Sequence, residues 1–465
     1  MSLGNWPVGP AQLTWADHLV GLAVPGEEAR YEYRMRALAG SGDLLVLGAT
    51  PHAAFDAYCR DEVGAGAPLV LQAPAAPGRR IVPLATRCRE DVRFFAQLAQ
   101  HAQRAGGLTL HPYACSGHDW LLGSAVAFAA RVPVRIAGPP PGVARRVNDK
   151  GWFAEQVSWL LGRASVPPTY TVLGPAALAG RIAHLARRYP RTVIKVPDSA
   201  GGKGNLVLDS GELNRLSLKA IHRRLRRLLG ALGWRDTFPL VAGVWESPVV
   251  ASPSAQLWLP EKDKGPPLLE GLFVQILTGT EGEFIGAEPS RLPAEVEQRM
   301  VDEAMRIGAF FQALGYFGRC SLDAVLVGES AEKADLHWIE CNGRWGGVSI
   351  PLTLVNRLAA AGAPREFVIV QQVDIDLPRR SFPFALERAA AHLYRHGLRR
   401  RGIVFLSPRL LETGTGIHFI AIGDTLDEAR AEALAARQLL GFAGETGNAR
   451  LTSEPLASSQ ADKFA

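Results

Sequence analysis

From Gly42 to about Pro139, short apolar runs alternate with amphipathic stretches. The runs are DLLVLGA, PLVLQA, LTLHPYA and VPVRIAGPP; between them DVRFFAQLAQHAQRA carries apolar residues at three- and four-residue spacing, the period of a helix with one buried face. Strands separated by helices predict a parallel sheet with covering helices. LVLGATPHAAFDAY reads as strand, turn and helix but has no GxGxxG, so a Rossmann dinucleotide site is unsupported. The run Gly138-Pro139-Pro140-Pro141-Gly142 cannot continue a helix or a central strand and marks a boundary.

Past that boundary the pattern predicts a helix over NDKGWFAEQVSWLLGRA, a strand in PPTYTVL and a helix over AALAGRIAHLARRY. The next strand, RTVIKVP, runs into SAGGKGN and out again into LVLDSG, an α+β unit with a glycine-rich hairpin at its tip. Beyond Trp234, PLVAGVWE, SAQLWLP, EGLFVQIL and GEFIGAE predict an antiparallel sheet, then a helix from Ala294 to Leu314 and the strand pair SLDAVLV and DLHWIECN. The last hundred residues predict a helix over FALERAAAHLYRHGL, strands in GIVFLSP and GIHFIAIG, and a helix over DEARAEALAARQLL. The polar tail at 451–465 reads as disordered.

With 465 residues, 47% of them hydrophobic, the chain can build two or three domains around sizeable cores. There is no stretch of about 18 uncharged apolar residues, and MSLGNWPVGP lacks the order of a signal peptide, so membrane spanning and secretion are disfavoured. Five cysteines (Cys59, Cys88, Cys115, Cys320, Cys341), scattered and never in a CxxC pair, point to a reducing, cytoplasmic setting. The net charge of +6 comes from arginines spread along the chain, which disfavours a nucleic-acid partner.

Three places carry chemistry. Glu340-Cys341-Asn342-Gly343-Arg344 ends an apolar strand, and alternation puts Glu340, Asn342 and Arg344 on one face. A carboxylate, an amide oxygen and a guanidinium side by side suit a hard cation and its phosphate, with Asp323 on the preceding strand as second carboxylate. A surface Glu340–Arg344 pair with Asn342 opening a turn reads the same letters. Lys195, followed by Ser199-Ala200-Gly201-Gly202-Lys203-Gly204, suits a phosphate lid because glycine lets backbone N–H groups approach phosphate oxygens; a glycine hairpin with a solvated lysine fits equally. Asn148-Asp149-Lys150 places a scarce lysine at a helix start, where Asp149 also reads as a cap.

In order, DK, a strand with VIKVP and a GGKG loop, a hinge, then D…ExNxR, these signals resemble the ATP-grasp superfamily over roughly residues 135 to 370. The resemblance implies an ATP-grasp fold, α/β and α+β, behind an N-terminal parallel-sheet pre-ATP-grasp domain. Its divisions would be 1–140 for that domain, 141–242 for a lid with the glycine-rich loop, and 243–450 for the subdomain with the metal site and closing element. It also implies the cofactors ATP and Mg2+, with Mn2+ as a substitute. Lys150 and Lys195 would contact the nucleotide, and Gly201, Gly202, Lys203 and Gly204 would cover its phosphates. Val244-Trp245-Glu246 would be the adenine hinge, with Glu246 toward the ribose. Asp323, Glu340 and Asn342 would hold magnesium, and Arg344 would face the reacting carboxylate. Gly343 stands where the family commonly has proline.

The long N-terminal domain and ECNGRWGG look similar to peptide ligases of the pheganomycin type. The implied activity is an ADP-forming carboxylate-amine ligase acting through an acyl phosphate, its partners small-molecule or peptide carboxylates and amines, with neither nucleic acid nor membrane and with a homodimer allowed. The alternatives are a bicarbonate-activating carboxylase, a relative that stops at phosphorylation, and a non-catalytic nucleotide binder. Cys341 points to the opposite strand face and reads as core. His111 and His118-Asp119 read as structural, and Arg395 to Arg401 as a solvated helix end.

Overall fold

A computed structural model describes residues 12–15, 32–76, 82–195, 205–234, 236–279, 282–373 and 378–441. The amphipathic period dictates the first layer. The helix Val92–Ala105 buries Phe94, Leu98 and Ala102, one row four residues apart; the Asp91 side chain accepts from Phe94 N at 2.8 Å to start it, and Gly106 at φ 72° ends it. It covers a parallel sheet of β1 (Gln12–Trp15), β2 (Leu44–Leu47), β3 (Leu69–Gln72), β4 (Leu108–His111) and β5 (Val134–Ile136), in the order β3-β2-β1-β4-β5. The parallel sheet is as the pattern predicts, with one strand more: QLTW at β1 lies at its centre, far upstream of the first apolar run.

The two histidines read as structural are held differently. The His118 ring is 2.9 Å from Thr86 Oγ1, and Asp119 accepts from Ser116 N and Oγ at 2.8 and 2.6 Å, a helix start and not a triad. His111 is buried at the end of β4 and its Nε2 has no partner among the described residues. Burial, with Arg319 and Arg357 nearby, pushes its pKa down to about 4. The unfolded chain therefore takes up this proton near pH 6.5 and the folded one does not. Stability should fall by about 3 kcal/mol as the pH drops from about 6.5 to 4. Urea unfolding of His111→Gln should lose that part of the acid dependence.

Pro141, expected only to break structure, opens the helix Pro141–Asn148, since the first helical position needs no N–H. Asp149 separates it from the helix Lys150–Leu161 and caps the latter, accepting from Gly151 N and Trp152 N, each at 2.9 Å. A four-stranded antiparallel sheet follows: β6 (Thr169–Val172), β7 (Arg191–Lys195), β8 (Asn205–Asp209) and β9 (Leu240–Val244), ordered β6-β9-β7-β8. Its helices Pro175–Ala186 and Leu218–Ala231 pack Leu178, Ile182, Leu225 and Leu229 on Ile194 and Ala242. The run PLVAGVWE therefore belongs here and not, as expected, to the larger sheet. All of β9 is buried, and such a run carries no face pattern to say which sheet it joins.

The larger sheet holds β10 (Val249–Ala251), β11 (Pro253–Leu259), β12 (Leu268–Thr278), β13 (Glu283–Pro289), β14 (Gly318–Val327), β15 (Asp335–Asn342), β16 (Glu366–Val373), β17 (Gly402–Phe405) and β18 (Gly416–Gly423). The order is β10-β14-β11-β12-β13-β16-β18-β17, with β15 also on β14. Met300, Ala304, Ile307 and Phe311 of the helix Ala294–Ala313 close one core with β11, β14 and β15. The helix Leu426–Leu439 closes another on β16 and β18.

The helix expected over FALERAAAHLYRHGL stops at Arg388, because Tyr394 N bonds to Ile403 O at 3.0 Å and draws the chain toward β17. Arg395, Arg399 and Arg401 pair with Glu62, Glu432 and Asp424 at 3.0, 3.0 and 2.9 Å, so this run is tied to neighbouring acids and is not a helix end. No helix of the described residues is long and apolar enough to cross a membrane.

Candidate active site

Strand pairing makes the centre. On β14 and β15, Asp323 lies opposite Glu340 and Ser321 opposite Asn342, and the register slips immediately beyond, where Ala324 faces Trp338. Ile339 is the extra residue of a bulge. In the regular register before it, alternation and direct pairing put Asp323, Glu340 and Asn342 on one face, while Cys341 turns into the core, buried against Cys320. Asn342 Nδ2 donates to Asp323 Oδ2 at 2.8 Å and to Glu340 Oε1 at 3.4 Å. Ser254 Oγ donates to Asp323 Oδ1 at 2.8 Å and itself accepts from Gln256 Nε2 at 2.9 Å.

The lysines converge on the same face. Lys150 Nζ, buried at its helix start, is 3.1 Å from Glu340 Oε2. Lys195, at the end of β7, feels Glu340, Lys150 and Glu246; burial pushes it down to about 8, Lys150 adds to the shift, and the two carboxylates resist it. Burial raises Glu340, but Lys150, Lys195 and Arg344 outweigh it and hold the carboxyl below its usual range. Asp323 goes the other way, to about 6: burial and the facing Glu340 raise it, against the hydrogen bonds from Ser254 and Gln275 and the charge of Arg344. Two carboxylates in one site with separated pKa values are a recurrent mark of function.

Arg344 follows at a tight turn, its N–H donating to Asn342 O at 2.9 Å. Gly343 donates its N–H to Asn148 Oδ1 at 2.9 Å, and a Cβ there would lie 2.7 Å from Val147 Cγ2 and 2.9 Å from Asn148 Nδ2. Proline could neither donate that bond nor fit, which explains the glycine at this position. Trp245 follows β9, its N–H on Arg191 O at 3.2 Å, and Glu246 Oε1 is 2.9 Å from His337 Nδ1. Gly201, Gly202, Lys203 and Gly204 lie outside the described residues.

Sequence reasoning missed Ser254, Gln275 and His337, isolated polar residues in apolar strands whose only signal is tertiary. Among the described residues no three His, Cys, Asp or Glu side chains gather as a metal cluster. The oxygen donors here are the carboxylates of Asp323 and Glu340; Asn342 turns its Nδ2 to both and would offer a cation its Oδ1 by rotating the amide.

The description of the pre ATP-grasp domain family matches residues 32–128. No curated protein matches the chain by sequence. Solved structures similar to it include a biotin carboxylase–β-γ-ATP complex from Campylobacter jejuni, TM-score 0.53 at 15% identity over 92% of this chain and 91% of that one. The biotin carboxylase domain dimer of 2-oxoglutarate carboxylase from Hydrogenobacter thermophilus, in complex with MgADP, ADP and bicarbonate, aligns with TM-score 0.53 at 15% identity over 92% and 89%. N5-carboxyaminoimidazole ribonucleotide synthetase from Thermus thermophilus aligns with TM-score 0.52 at 15% identity over 93% and 98%. The chain has the ATP-grasp fold. In ATP-grasp terms, the parallel sheet is the pre-ATP-grasp domain, and Lys150, Lys195, Asp323, Glu340 and Asn342 meet where the smaller antiparallel sheet faces the larger.

Proposed function

We propose that this chain is an ATP- and magnesium-dependent ligase that joins a carboxylate to an amine through an acyl phosphate and releases ADP and phosphate. The observation that carries the reading is the Asp323–Glu340 pair, held in register across adjacent strands with Asn342 beside it. Like charges opposite each other on a sheet cost stability, so a fold that keeps them has a use for them. Their oxygens suit a hard cation, which takes one or two carboxylates and fills its remaining positions with phosphate and water. Magnesium, or manganese in its place, would neutralise charge on the transferred phosphoryl group.

The chain's own residues do the rest. Lys150 and Lys195 hold nucleotide phosphates; Trp245 and Glu246 face the base and ribose. By the resemblance, Gly201, Gly202, Lys203 and Gly204 would cover the β- and γ-phosphates and exclude water from the acyl phosphate. Arg344 orients the carboxylate whose oxygen attacks the γ-phosphorus, and the amine then displaces phosphate, so positioning and charge carry the rate and no Ser or Cys nucleophile is needed. The narrower likeness to pheganomycin-type ligases makes the acceptor an amino acid or peptide amine, and two copies of the chain would pair as a homodimer.

A second reading follows from the structural neighbours, two of which are biotin carboxylases. There the activated acid is bicarbonate. Purified protein with ATP, magnesium and either pooled amino acids and short peptides or carbon-13 bicarbonate separates the two. A new amide mass that needs the amine supports the ligase, whereas label from bicarbonate in the product with no amide contradicts it.

The cation should also report the titration of Asp323. Below about pH 6 its proton competes with the metal, so Mn2+ affinity read by electron paramagnetic resonance should fall about tenfold for each further unit of pH. An affinity flat from pH 7 to 5 would remove Asp323 from the cation site.

A further inference from the structure

The arginines spread along the sequence are not spread in space. Described residues 175–195 and 205–231 of the smaller antiparallel unit hold eleven Lys and Arg against two acids, Asp209 and Glu212. Glu212 pairs with Arg224, Asp236 just beyond pairs with Arg226, and Asp209 caps the following turn, so the acids are engaged away from the remaining arginines. Asn214 Nδ2 bonds to Ala186 O at 2.8 Å, which brings the end of the helix Pro175–Ala186 beside the start of the helix Leu218–Ala231. Arg187, Arg188, Arg215, Lys219 and Arg223 therefore share one corner, all exposed, with no ion pair to a described residue. Lys219, Arg223 and Arg227 recur every fourth residue, a stripe about 12 Å long.

Leucines accompany the charges. Leu218 is 56% exposed within the corner and Leu232 is 65% exposed at the far end of the same helix. We propose that this two-helix corner is a docking surface for an acidic segment of another protein, with Leu218 and Leu232 meeting apolar residues of that segment. A single-stranded nucleic acid would ask for a groove and aromatic faces on which bases stack. The exposed apolar groups here are leucines, and Trp234 is spent inside the unit, its Nε1 on Thr237 O and its ring edge-on to Phe238. Exposed cations beside exposed leucines match an acidic protein segment that carries apolar residues of its own.

The test uses the full chain and a labelled 20-residue amphipathic peptide of glutamate and leucine, read by fluorescence anisotropy. R187E, R215E, K219E and R223E combined should weaken binding at least about tenfold, with thermal unfolding and ATP turnover unchanged. Leu218→Ser should weaken the mixed peptide and leave a glutamate-only peptide unaffected. Equal binding of the peptide by parent and fourfold variant overturns the proposal. So does tighter binding of an oligothymidylate, or of phosphatidylserine vesicles, than of the peptide at matched salt and charge.

Discussion

Asp323→Asn is expected to abolish ATP turnover, by about a thousandfold or more, while leaving the protein as stable as the parent or slightly more so. The two halves have one cause. Asp323 faces Glu340 in register, and its pKa in the fold, about 6, lies above the ordinary carboxylate value. At pH 7 the folded state therefore carries an ionised group that it would rather protonate, and this penalty is present above about pH 6 and relieved below. Two units correspond to about 3 kcal/mol, but Asp323 keeps part of its surface exposed, so about 1 kcal/mol is the expected gain on neutralising it. Asparagine removes the charge a cation needs and keeps a group that Ser254 can bond. Urea unfolding and an ADP assay on one preparation read both halves, and a variant that is inactive because it unfolds would contradict the account.

Arg319→Met should be the most destabilising single change near the site. Arg319 Nε and Nη2 reach Glu270 Oε2 and Oε1 at 2.9 and 2.6 Å, with the two side chains 3% and 1% exposed. The guanidinium also lies 4.5 Å from the Trp345 ring centre and 5.5 Å from that of Trp258. Removing one partner strands a buried charge, at about 3–5 kcal/mol. Since Trp345 directly follows Arg344, turnover should fall along with stability. Glu270→Leu with Arg319→Met should recover much of the stability, because no charge is then left alone, but not the stacking on Trp345. A double variant no more stable than the single would argue against the ion pair as the cause.

What could be read from letters depended on how local the physics was. The helix at Val92–Ala105 follows from its period and its Asp91 and Gly106 caps, all within 16 residues of chain. Glu340 and Asn342 on one face follow from strand alternation, and Asp323 from the hairpin. The bulge at Ile339 does not, because it depends on how two strands are paired. QLTW at β1 and PLVAGVWE at β9 went unplaced or misplaced for a related reason: a short or wholly buried strand has no face pattern, and its neighbours are chosen by the fold. Ser254, Gln275 and His337 each lie alone in an apolar stretch and acquire meaning only from the group opposite. The basic corner was concealed too, since Arg187, Arg188, Arg215, Lys219 and Arg223 come from two helices that a single hydrogen bond, Asn214 to Ala186, shows to be adjacent.

In the proposed reaction Asp323, Glu340 and Asn342 hold a metal nucleotide for phosphoryl transfer to a carboxylate. Phosphorus-31 spectroscopy of ATP, magnesium, pooled amino acids and the protein tests it most directly, with Glu340→Ala as the control. ADP and phosphate should grow together in the parent only, and faster when the amine is added. AMP and pyrophosphate, or ADP formation undiminished in Glu340→Ala, would contradict it.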